Sequence, residues 1–279
     1  MIEVLHFLAA PFAACLILVA ILGYFGLHVL LRGVIFVDLA LAQIAAMGAV
    51  VAFIFGHQPG SKASFTFSLA AALLGAAIFS WSRSRRGKVP QEAIIGITYV
   101  VASAATILIA DRAPEGAEHI KELLAGAIVW VTWPTVVKDL LVFIAVGLLH
   151  VRFRRRFRRI SEDPEEAFAA GLKVRWWDFL FYASFGLVIT LAVEIGGVLM
   201  VFTYLVAPAI IALAWSDRWP ARMVIAWTVG TLASAFGLFA SYTWDLPSGP
   251  AIVCVLGALL VLFAAWRAVR GRGRGPDGL

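Results

Sequence analysis

An all-α polytopic membrane protein with eight or nine spanning helices is predicted by three features of this 279-residue sequence. Hydrophobic residues make up 62% of it and charged residues only 14%, against about 45–50% and about 25% in soluble domains. Mean hydropathy is +0.93. The apolar residues fall in repeated runs of about 20, the helix length that crosses a hydrocarbon layer of ~30 Å. Such runs exclude a transmembrane β-barrel, whose strands alternate. The composition likewise excludes a soluble enzyme or a disordered regulator.

Nine candidate spans follow in order at about 7–30, 33–56, 64–82, 91–110, 135–151, 177–194, 196–216, 221–243 and 249–267. The first is expected to span and not to be a cleaved signal, because Met1-Ile2-Glu3-Val4 lacks a basic n-region and the run is long. Leu123 to Trp133 is apolar but short, which fits a re-entrant or interfacial piece held by Trp130 and Trp133 near a headgroup layer. The sixth and seventh runs are separated only by Glu194-Ile195-Gly196-Gly197. Gly-Gly can reverse the chain or break one helix, so both eight and nine spans stay open. Together the spans make one membrane domain over 1–267, and Arg267 to Leu279 predicts a disordered basic tail over 268–279. Cys15 and Cys254 lie inside apolar runs without metal-type spacing and read as small buried hydrophobes.

Of the 23 lysines and arginines, 19 fall in one set of loops and four (Lys62, Arg112, Lys121 and Lys138) in the other. The positive-inside rule therefore expects the N-terminus outside and the C-terminus in the cytoplasm. The net charge of +6 belongs to residues that flank spans, which points to orientation and anionic lipid and away from nucleic acid.

Intramembrane carboxylates cost about 2.5–3.5 kcal/mol each, so Asp38 and Glu194 stand out. At 100° per residue Asp38 shares a helix face with Ala42, Ala45 and Ala49, while Gln43 lies beside Met47. Asp38 is either a polar contact across a helix interface or an oxygen ligand lining an ion path. Glu194 is either a pore ligand or, on composition, an interfacial residue beside the Gly-Gly break. His6, His28, His57, His119 and His150 sit near span ends, with no metal-type pair among them.

The cytoplasmic stretch Arg152 to Asp178 opens with six arginines and two phenylalanines, which suit an anionic-lipid anchor. A short capped helix follows at about 163–171. Asp163 is its N-cap, Pro164 begins its first turn, Glu165 and Glu166 suit its positive end, and Gly171 closes it. With Phe168 as an apolar knob it suits a partner's groove; the alternative is a helix lying on the membrane. No Gly-x-x-x-x-Gly-Lys-Ser/Thr loop occurs, so ATP, if used, must be handled by another subunit. The spans offer no convergent nucleophile and base, which argues against an intramembrane enzyme.

Four stretches carry a resemblance that runs from about residue 12 to 260. They are Arg32 to Gly48, Glu92-Ala93-Ile94-Ile95-Gly96-Ile97-Thr98, Asp163-Pro164-Glu165-Glu166-Ala167 with Gly171-Leu172, and Gly197-Val198-Leu199-Met200-Val201 leading to Tyr204-Leu205-Val206-Ala207-Pro208-Ala209. The chain resembles the permeases of the ABC importer family that takes up zinc, manganese or iron (the ABC-3 type). The resemblance implies a homodimer, two cytoplasmic ABC ATPase subunits and an extracytoplasmic metal-binding protein. It implies no tightly bound cofactor, the divalent ion being the cargo, and it makes the 163–171 helix the coupling helix. Asp38, Gln43 and Glu194 would line the path. The family commonly places Asp and His four residues apart in the second span. Aligned on Gly48, those positions hold Leu39 and Gln43, and Asp38 is one residue early. Without that imidazole the oxygens left suit harder ions than zinc, and a metal chelate such as an iron–siderophore is the second reading of the cargo.

Overall fold

The computed structural model describes residues 2–58, 60–83, 89–110, 126 and 128–272. Within them lie ten α-helices: α1 (Ile2–Arg32), α2 (Val37–Ile54), α3 (Lys62–Ser82), α4 (Gln91–Ala110), α5 (Trp133–Arg152), α6 (Arg154–Glu162), α7 (Pro164–Ala169), α8 (Val174–Trp215), α9 (Trp219–Trp244) and α10 (Ser248–Arg272). Eight of them, all but α6 and α7, are long and apolar enough to cross a membrane. No strand occurs among the described residues. In a bilayer every backbone polar group must be satisfied internally, and helices do so within the segment.

α8 contains both the sixth and the seventh predicted runs. It is broken at Gly197, where φ is 72° and ψ 162°, a region that only glycine occupies readily. The packing makes this break a reversal. On the first arm Phe181 and Phe185 lie on Phe25 of α1, and Asp178 pairs with Arg32. At the break, Gly196 faces Leu18. On the second arm the Leu205 carbonyl presses on Gly26, where a β-carbon would fall 1.9 Å from that oxygen. Ala209 and Ala212 then cluster with Leu27. Both arms thus run along one stretch of α1 in opposite directions. Trp219, opening α9, returns to His28 with ring centroids 4.8 Å apart.

The segment before α5 covers this reversal. Gly126 (φ 67°) sits against the Gly196–Gly197 backbone, the 3-10 turn Ile128–Trp130 buries Ile128, and Trp130 and Trp133 stay exposed. The described part of 123–133 therefore lies on the bundle as a short cap; 123–125 and 127 fall outside the described residues.

Two outcomes differ from expectation. The last helix continues to Arg272, so the first part of the tail expected from 268 is helical, and 273–279 lie outside the described residues. Cys15 is buried as expected, but Cys254 is exposed: α10 packs through Ile252 and Leu256 and turns Cys254 away from the core.

Candidate functional site

A cavity of about 730 Å³ opens between α2, α3, α4, α5 and α8. The small residues of α2 make the room: Ala42, Ala45, Ala46 and Ala49 line it, and Gln43 reaches in beside them. α3 contributes its N-cap Ser61 with Lys62, Ser64 and Ser68; α4 contributes Tyr99, Ser103 and Thr106; α5 contributes Lys138; and α8 contributes Thr190 and Glu194. The hydroxyl protons of Thr106 and Thr190 go to the carbonyls of Ala102 and Gly186 one turn earlier, each at 2.8 Å. Their lone pairs remain to face the cavity. The lining thus offers an amide oxygen, a carboxylate and several hydroxyls, with neither imidazole nor thiolate. That donor set suits hard divalent ions such as manganese better than zinc.

Gln43 and Glu194, far apart in sequence, are brought to this one space. Asp38 does not line it. It lies one turn from Ala42 on the same face, 2% exposed, and its Oδ1 has no partner among the described residues. Glu92 approaches it from α4, with Oε1 accepting from the Phe36 amide at 3.1 Å. At the other end Lys138 Nζ stands 3.4 Å from Oδ1 of the buried Asp139. Among the described residues no group of three or more His, Cys, Asp or Glu is placed to hold an ion. Sparse donors beside lysines fit transient contact, which a path needs, since an ion must leave as readily as it enters.

Asp38 and Glu194, the two carboxylates singled out from the sequence, are not alone within the spanning helices. Glu92, Asp139 and Asp178 also lie inside helices. Asp178 was missed because it opens the predicted 177–194 run beside a tryptophan pair and basic residues, so it reads as a solvated residue at the span's edge. It is fully buried, with Oδ1 taking Arg32 Nη1 at 2.5 Å and Oδ2 taking Arg83 Nη1 at 3.0 Å. The Arg32 guanidinium lies 3.9 Å over the Phe181 ring. Removing one partner from a buried ion pair costs about 3–5 kcal/mol.

The same cluster holds the loop segment. Ser161 Oγ donates to the Phe157 carbonyl at 2.9 Å, so it accepts from both Arg32 Nε and His28 Nδ1, each at 2.8 Å. A hydroxyl has one proton and two lone pairs, and all are used. His150 bridges Ser184 at 2.8 Å and the Tyr24 hydroxyl at 3.1 Å. Both histidines are structural core groups.

Just beyond Ser161 comes α7. Asp163 Oδ1 accepts from the Glu166 amide at 2.8 Å, Pro164 occupies the first turn, and Arg159 pairs with Glu166 at 2.6 Å. Gly171 has φ 74° and ends the segment. Phe168, expected as a knob for a partner, is half-buried against the bundle, and Glu165, Glu166, Ala169 and Ala170 form the exposed face.

Against known proteins, the model of the ABC 3 transport family matches residues 4–267. The chain belongs to the ABC 3 transport family. It is 27% identical over 248 residues to a manganese transport system membrane protein, MntC, of Listeria monocytogenes, covering 88% of this chain and 84% of that one. It is 24% identical over 256 residues to the MntC of Halalkalibacterium halodurans, covering 92% and 86%. Among solved structures it is similar to PsaBC from Streptococcus pneumoniae in complex with Fab, with a TM-score of 0.77 and 23% identity over 94% of this chain and 93% of that one. In this ABC 3 transport chain the fold is thus all-helical and multi-pass, and the cavity lies among the helices that carry the Arg32–Gly48, Glu92–Thr98 and Gly197–Ala209 stretches.

Proposed function

We propose that the chain is the membrane permease subunit of an ATP-driven importer that carries a divalent metal ion, manganese foremost, into the bacterial cytoplasm. The observation that carries this reading is the cavity that holds Gln43 and Glu194 together, with scattered hydroxyls beside them, within an ABC 3 transport fold. Two copies of the chain would enclose the path, an extracytoplasmic binding protein would deliver the ion, and two cytoplasmic ABC ATPases would grip the segment from Asp163 to Gly171. No cofactor is held between cycles: the ion is cargo. Asp38, with Glu92 beside it, would meet the ion on the basic side of the cavity. Both MntC relatives are named for manganese and not for a chelate, and this supports the ion over an iron–siderophore.

The test is metal-dependent uptake and ATP hydrolysis by the permease in proteoliposomes with its co-encoded ATPase and binding protein. Mn²⁺, Zn²⁺, Fe²⁺ and a ferric chelate are compared. Stimulation by Mn²⁺ above the others is expected. Stimulation by the chelate alone would overturn the cargo.

A further inference from the structure

We propose that Arg32, Arg83, Asp178 and Ser161 form the joint that transmits movement of the α7 segment into the bundle, acting as positioning residues for transport. The inference rests on the reading of the chain as an importer permease.

Each member comes from a different element. Arg32 ends α1, Arg83 follows α3 as its C-cap, Asp178 lies in the first turns of α8, and Ser161 is in the last turn of α6. All four are buried. A single carboxylate takes both guanidinium groups, one per oxygen. The Arg32 side chain then reaches on through Nε to Ser161, two residues before the Asp163 cap of α7. A displacement of α7 therefore pulls on α1 and, through Asp178, on α3 and the first arm of α8. That arm ends at Glu194 in the cavity and at the Gly197 reversal.

Stability alone does not account for the arrangement. A buried ion cluster is often no better than packed apolar groups of the same size, and here two cations share one anion. Arg32 Nη2 has no partner among the described residues, which leaves a donor for a second pairing when α6 shifts. A cluster that links two sites and keeps a spare donor for a second pairing is suited to carry coupling between them.

The experiment measures Mn²⁺ uptake per ATP hydrolysed in proteoliposomes containing the whole complex, with Asp178→Asn, Arg83→Gln and Ser161→Ala compared to the unaltered chain. The ratio is expected to fall about tenfold while ATP hydrolysis persists, and Asp178→Glu, which keeps the charge, is expected to recover part of it. A merely structural role would lower complex yield, uptake and hydrolysis together. Asp178→Asn risks assembly because it strands buried cations, so Ser161→Ala, which removes one hydroxyl and no charge, carries the decision if assembly is lost. An unchanged ratio in the assembled variants would overturn the joint while leaving the permease reading intact. Absence of ATP-dependent Mn²⁺ uptake by the unaltered complex would overturn both.

Discussion

Gln43 stands where this family's resemblance led one to expect histidine, and it projects into the cavity. An amide oxygen is a hard, neutral donor; an imidazole nitrogen is a borderline one that favours late divalent metals. Gln43→His is therefore expected to strengthen inhibition of Mn²⁺ uptake by Zn²⁺ by about tenfold, the scale on which single changes around a metal move its affinity. Competition assays in proteoliposomes read this directly; an unchanged inhibition constant would place Gln43 off the path. Gln43 and Glu194 were legible in the sequence as polar groups inside apolar runs, but that they share one cavity was not. Asp178 was illegible for a different reason: its partners Arg32 and Arg83 lie on two other elements, and nothing local marks a carboxylate at a helix start as buried. The sequence offers only an acidic residue among basic neighbours at a span's edge, which does not separate a buried ion pair from a solvated charge.

At the scale of elements, the runs themselves were legible because burial in lipid writes itself as continuous hydrophobicity. The capped α7 was legible too, since capping is local chemistry: the Asp163 bond to the Glu166 amide depends only on spacing. What hydropathy left open was the joint inside α8, where two runs meet without a polar loop. Gly197 makes that joint, and at φ 72°, ψ 162° any other residue is strained by about 1–3 kcal/mol. Gly197→Ala is thus expected to lower the thermal unfolding midpoint of the purified permease. Gly147, a helical glycine with open space around its missing β-carbon, serves as the control, and Gly147→Ala should leave the midpoint unchanged or raised. Equal effects of the two substitutions would show that the reversal does not depend on Gly197.

For the whole molecule, the reversal decides the topology. A straight helix over the 42 residues of α8 would be about 63 Å long, twice the ~30 Å of hydrocarbon it has to cross. Folded back at Gly197, it supplies two passes and raises the count from eight to nine, an odd number that puts the two termini on opposite faces. The end carrying Arg32, Arg83, Asp178 and Trp219 is the end where the basic loops gather, and the positive-inside rule expects that end to face the cytoplasm. The expectation can be read by cysteine labelling with a membrane-impermeant maleimide, in a chain whose Cys15 and Cys254 are changed to alanine. Lys173→Cys and Asp217→Cys are expected to react only from the cytoplasmic side, and Gln58→Cys and Asp245→Cys only from outside. All four positions are exposed. The pair at 173 and 217 carries the argument, because they flank α8. If they label from opposite sides, α8 crosses once and the arms cannot both run along α1; if they label together from outside, the nine-pass path stands and the orientation is inverted.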